Sequence, residues 1–93
     1  MTKITNRQIR LLVRIMNNAE KVHLLILAGC VRRALFAIAH KRYDDARGRI
    51  KEAIGYSDIA KHAGTEQASL FAPGAKFHLS WILSKFDLTD TET

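Results

Sequence analysis

"SDIAKHAGTEQASLFAPGAKF", residues 57–77, decides how the second half of the chain folds. Ala60, Gly64 and Leu70 have the spacing of two helices that meet at a glycine, and Pro73-Gly74 has the chemistry of a second break. Gly64 stands where a left-handed residue ends a helix, and the Thr65 hydroxyl can cap the helix that follows. Proline removes a backbone donor and glycine accepts unusual dihedrals. The spacing therefore predicts a short helix over "EQASLFA", a break at Pro73-Gly74, and a last helix from Ala75 to Phe86 with Leu79, Ile82, Leu83 and Phe86 facing inward.

Upstream, Ala46, Ile50, Ala53, Ser57 and Ala60 form a stripe of small and apolar residues at helical spacing. The stripe passes Gly55, continues to Ala63, and has Ile54 and Ile59 beside it. It opens with "AHKRYDDARGRIKEAI", residues 39–54. There His40, Lys41 and Arg42 suit the negative end of one helix, while Asp44 and Asp45 suit the positive end of the next. The segment resembles the hairpin turn of tetratricopeptide repeats. No second copy follows at that family's period, so the resemblance implies a helical hairpin and not a repeat array.

In the first half, Thr5 and Asn6 cap helix 1, Ile9, Leu12, Val13 and Met16 form its buried face, and Asn17-Asn18 ends it. Helix 2 runs from Ala19 to His40, and Gly29 beside Ala28 predicts a close helix crossing. The expected fold is all-α, a small bundle of about four helices built around a central helical hairpin. Residues 1–86 form the single domain and residues 87–93 a flexible acidic tail without periodicity.

A chain of 93 residues holds one core. Cys30 is its one cysteine and lies inside "LLILAGCV", where a thiol packs as a small hydrophobe. That usage fits a reducing cytoplasm, the expected location. The adjacent Arg32 and Arg33 interrupt the longest apolar run, so no membrane span is expected. The net charge of +6 is uneven. Residues 1–51 hold twelve Lys/Arg against three Asp/Glu, a net +9, whereas residues 52–93 hold three against six, a net −3.

Lys3, Arg7, Arg10 and Arg14 share one face of helix 1, with no acidic residue before Glu20. The usual pairing of opposite charges one turn apart is missing there. Arg47 and Arg49 add charge at the start of helix 3. These six residues are the candidate contacts to an anionic partner, either nucleic acid or an acidic protein surface. In "LFAPGAKF", Phe71 and Pro73 are candidate contacts of a recognition turn. An X–Pro bond in a flexible chain is cis at about 10–30%, so the Ala72–Pro73 bond could be gripped by a partner or a prolyl isomerase. No catalytic or metal-binding spacing links His23, His40, His62, His78 and Cys30, and no phosphate-binding glycine loop is present. No enzyme, metal or cofactor is expected. Asp58 and His62, one turn apart, read as a surface ion pair.

"IAKHAGTEQASLF" is similar to the bihelical core of tetracycline-repressor-type regulators, and "KFHLSWIL" resembles the helix that supports their reading helix. The resemblance spans residues 57–83. It implies base contacts from Thr65, Gln67 and Ser69, beside Glu66, and phosphate contacts from Lys61 and Lys76. Three features depart from that family: a threonine at 65 in place of an apolar residue, an acid at 66, and basic charge concentrated in the other half of the chain. A second resemblance rests on "MTKITNRQIRLLVRIMNNAEK" and "KRYDDARGRIKEAIGYSDIAKHAG". These segments, in so small and basic a chain, resemble the anti-RecBCD proteins of lambda-like phages. That resemblance implies a non-enzymatic modulator or inhibitor of a host nucleic-acid-processing complex such as the RecBCD recombination nuclease. The alternative is a helix-turn-helix transcriptional regulator.

Overall fold

The computed structural model describes residues 4–63 and 65–92, with the side chains of Ala63 and of residues 86–92 outside the described set. Lys3, the Gly64 cap and the inward placement of Phe86 therefore lie outside the described residues. Four helices follow one another: α1 (Asn6–Lys21), α2 (Leu25–Ala39), α3 (Tyr43–Ala63) and α4 (Glu66–Glu92). No strand occurs among the described residues. Each helix packs on its neighbour in sequence, and α1 also meets α4. Short connections between successive helices give the up-and-down order of a small bundle. At 1.5 Å per residue, α4 spans about 40 Å, and the molecule measures 42 × 20 × 19 Å.

One spacing runs through all four helices. Buried positions alternate four and three apart: Gln8, Leu12, Ile15 and Ala19 in α1; Leu27, Val31, Ala34 and Ile38 in α2; Ala46, Ile50, Ala53, Ser57 and Ala60 in α3; Ala68, Ala72, Ala75, Leu79 and Ile82 in α4. This is the seam pattern of helices packed side by side. The α3 stripe is buried as its sequence pattern predicts, with the Ser57 hydroxyl donating to the Ala53 carbonyl at 3.0 Å. The inner face of α1 is rotated from the expected one. Val13 is exposed, Ile9 and Met16 are only half-buried, and Ile15 and Ala19 take the core positions. Gln8 enters the seam because the capping box satisfies its polar atoms. Its Oε1 accepts from the Thr5 backbone N–H at 2.9 Å, and its own N–H donates to Thr5 Oγ1 at 3.3 Å.

The ends of α1 and α2 share a device. The Leu24 N–H donates to the Ala19 carbonyl at 2.8 Å and the His23 N–H to the Glu20 carbonyl at 3.1 Å. In the same way Arg42 donates to Ala37 at 2.8 Å and Lys41 to Ile38 at 3.0 Å. Both are Schellman caps, and both put a side-chain-bearing residue in the left-handed region, His23 at φ 62° and Lys41 at φ 60°. The first cap corrects two expected boundaries. Asn17-Asn18 does not end α1, and α2 begins at Leu25 rather than Ala19. The second makes the α2–α3 hairpin, with Asp44 and Asp45 in the first turn of α3 as expected.

Two further expectations are overturned. Gly29 marks no close crossing, since a Cβ there would meet nothing within 4 Å. Pro73-Gly74 is neither a break nor a turn: α4 runs through it as one helix, and no described peptide bond is cis. A proline inside a helix costs about 3 kcal/mol. Against that, Leu79 and Ile82 are fully buried in line with Ala68, Ala72 and Ala75, and burying each is worth roughly 1.5–3 kcal/mol. A break at Pro73 would turn the two halves of this seam out of line, so tertiary burial overrides local propensity. Pro73 itself sits on the exposed side, where its ring disturbs no packing. Thr65 caps α4 as predicted, its Oγ1 accepting from the Ala68 N–H at 3.2 Å. Residues 87–92, which lack periodicity in the sequence, carry helical backbone as the last turns of α4.

Two substitutions check these assignments by chemical denaturation. Pro73→Ala restores a donor inside α4 and is expected to stabilise by about 1–3 kcal/mol; a loss of stability would show that the chain uses the proline as a break. Lys41→Gly relieves the left-handed residue and is expected to stabilise by about 0.5–1 kcal/mol. A decrease would contradict the cap.

Candidate arginine–aromatic groove

The side chains of α1 that point away from the core include Arg7, Arg10 and Arg14, all exposed. The helix also carries Lys21 and a single acid, Glu20. Glu20 turns to α2, where Arg32 donates to its carboxylate at 2.7 Å. Arg7, Arg10 and Arg14 therefore have no acidic partner among the described residues. The continuous α4 places a second wall opposite them. Arg7, Arg10, Leu11 and Arg14 line one side of a groove of about 620 Å³, and Phe77, His78 and Trp81 line the other. Phe77 is 70% exposed and Trp81 39% exposed, large apolar faces left open to solvent. Phe77 meets the His78 ring edge-on, with centroids 5.6 Å apart, and Lys85 Nζ lies 5.7 Å from the Trp81 ring centroid.

The remaining candidate residues are arranged differently. Arg47 pairs with Asp44 at 3.6 Å, and Arg49 pairs with Asp45 at 3.7 Å and Glu52 at 3.4 Å. Their charge is balanced along α3, unlike that of the α1 triad. Phe71 is half-buried and packs against the core, while Pro73 is exposed on α4. The structure thus holds no turn at residues 70–77 for a partner to grip. Lys61 and Pro73 border a second groove, of about 330 Å³, on the α3–α4 seam. Lys76, also on that rim, donates to Asp58 at 2.7 Å, so Asp58 is engaged by α4 rather than by His62.

For the helix-turn-helix resemblance, the segments that would read and support are one helix. Thr65 is its N-cap, Gln67 is exposed and Ser69 half-buried. Phe77 and Trp81, which the sequence does not single out as contacts, are the aromatic wall of the larger groove. The readable signal was their four-residue spacing with Lys85, which puts all three on one face of a helix.

No group of three His, Cys, Asp and Glu side chains among the described residues is arranged to hold a metal ion, and no described helix is long and apolar enough to cross a membrane. Cys30 is 5% exposed, and its thiol donates to Glu52 Oε2 at 3.8 Å. Burial first, then the charge of Glu52 and the hydrogen bond to it, push the thiol above its ordinary pKa, against the opposing pull of Arg33 and Arg49. Since only the thiolate is nucleophilic, native Cys30 is expected to react with an aromatic disulfide reagent at neutral pH at least about tenfold more slowly than the denatured chain. Equal rates would contradict this environment.

The sequence matches no family model and no curated protein, and no solved structure matches it.

Proposed function

We propose that this chain is a non-enzymatic binding protein that modulates a nucleic-acid-processing complex, and that the α1–α4 groove is its partner face. The observation that carries this reading is the α1 triad: three exposed arginines without acidic partners among the described residues, facing exposed Phe77 and Trp81. Interface centres favour arginine and large aromatics: a guanidinium presents a planar fork of donors, and an aromatic ring offers much contact area with few torsions to immobilise. Uncompensated positive charge also steers association with an anionic partner. The resemblance of the chain to anti-RecBCD proteins supports a RecBCD-type recombination nuclease of a bacterial host as that complex.

The helix-turn-helix alternative draws less support. Its reading and supporting segments are continuous in α4, and Lys76 is engaged by Asp58. A prolyl isomerase at Pro73 would need α4 to open locally around an exposed proline. What supports that contact is the absent donor at Pro73 and the 76% exposure of Leu70 one turn before it.

Charge reversal tests the partner face. Arg7→Glu, Arg10→Glu and Arg14→Glu together leave the buried seam intact, so circular dichroism and melting temperature should change little. Capture of a nuclease–helicase complex from nuclease-treated bacterial lysate should be lost, along with any effect on its degradation of DNA ends. Identical capture by wild type and variant would remove the triad from the partner face. Capture of no such complex by the wild type would contradict the proposed function.

A further inference from the structure

We infer that the groove between α1 and α4 is a binding site for single-stranded nucleic acid. The inference rests on the reading of this groove as the partner face and names the chemistry it takes. Two observations favour a single strand over other anions. The guanidinium groups of Arg7, Arg10 and Arg14 rise along one wall at spacings of three and four residues, a line of positive charge without acidic partners among the described residues. The facing wall offers the rings of Phe77 and Trp81, both on α4 and one turn apart.

A charged track beside aromatic platforms is the recurring arrangement for strands whose bases are unpaired: phosphates lie along the cations and bases stack on the rings. Duplex DNA would satisfy the arginines alone, because its bases are stacked on one another and offer no free face to Phe77 or Trp81. An acidic peptide would likewise meet the charges and leave the rings without planar partners.

The chemistry also predicts sequence tolerance. Every base has a π-face, so stacking on the Phe77 and Trp81 rings does not depend on any one hydrogen-bonding edge. Affinity should therefore depend on strandedness and salt more than on base order.

Trp81 is the one tryptophan of the chain, so its fluorescence reports occupancy of the groove directly. The test titrates the purified full-length protein with a fluorescein-labelled oligothymidylate of about a dozen nucleotides, and with a duplex of the same length. Anisotropy and Trp81 emission are read together. Single-strand binding should quench Trp81, exceed duplex binding, and weaken with salt at a log–log slope of roughly −2, the value for three phosphate contacts on a single strand. Phe77→Ala removes an exposed ring that the core does not need and should weaken binding by about tenfold. The triple arginine reversal should abolish it.

Equal affinity for duplex and single strand without Trp81 quenching would overturn the inference, as would affinity unchanged by Phe77→Ala. If oligonucleotides do not bind but the arginine reversal still abolishes capture of the host complex, the groove is a protein interface; the inference fails and the proposed function stands. If the reversal changes neither, both fail.

Discussion

The seam between α3 and α4 is the constraint on which the rest of the molecule depends. Ala46, Ile50, Ala53, Ser57 and Ala60 on one helix face a line of Ala68, Ala72, Ala75, Leu79 and Ile82 on the other, all buried. Small residues at these positions let two long helices lie close, and the shared four-and-three spacing holds them in register over most of their length. That register carries α4 through Pro73 without a break. It also fixes which side of α4 is turned toward α1. A helix that stopped at residue 72 would leave Phe77, His78 and Trp81 with no defined relation to Arg7, Arg10 and Arg14.

Charge is distributed in keeping with this division. Along α3 and at its junctions the arginines and Lys76 are engaged: Arg42 and Arg49 with Asp45, Arg47 with Asp44, Lys76 with Asp58. Exposed pairs of this kind contribute little to stability, about 0–1 kcal/mol each, but they neutralise the surface around the seam. The net positive charge of the first half of the chain therefore remains on α1 and on α2 with its cap, where Arg33 and Lys41 are exposed. The same helix that closes the bundle through Leu12, Ile15 and Ala19 presents its opposite side as an electropositive wall. Core packing and exposed charge thus occupy different faces of α1, which makes the charged face open to substitution without loss of fold.

The α3 stripe and the α2–α3 hairpin were legible in the sequence because local signals and tertiary packing agree there. Small apolar residues recur without a competing face, and opposite charges sit at opposite helix ends. For α1 they disagree. Ile9, Leu12, Val13 and Met16 form a plausible apolar face, yet the seam selects Gln8, Leu12, Ile15 and Ala19, and a glutamine satisfied by its own cap cannot be read from hydrophobicity. The stop after α1 was obscured because His23 occupies a position where glycine is the usual signal, whereas the stop after α2, with Lys41 in the same role, was legible from the charges around it. Pro73 misled for the converse reason: its propensity is clear, and burial on both sides of it is stronger. Half of the groove was visible as an arginine stripe without nearby acids. The other half was not, because the approach of α4 to α1 is a long-range consequence of the seam.

Paramagnetic broadening across the groove tests the central claim, that an unbroken α4 carries its aromatic wall to the arginine face of α1. A nitroxide attached at Arg10→Cys in a Cys30→Ala background should broaden the indole N–H resonance of Trp81 and the amides of Phe77 and His78. The Ile26 and Ile59 amides, which belong to the separate apolar groove formed by His23–Leu27 with Tyr56, Ile59 and Ala60, should stay sharp. A Trp81 resonance as sharp as those of Ile26 and Ile59 would mean that α4 does not reach α1, and the groove would not exist.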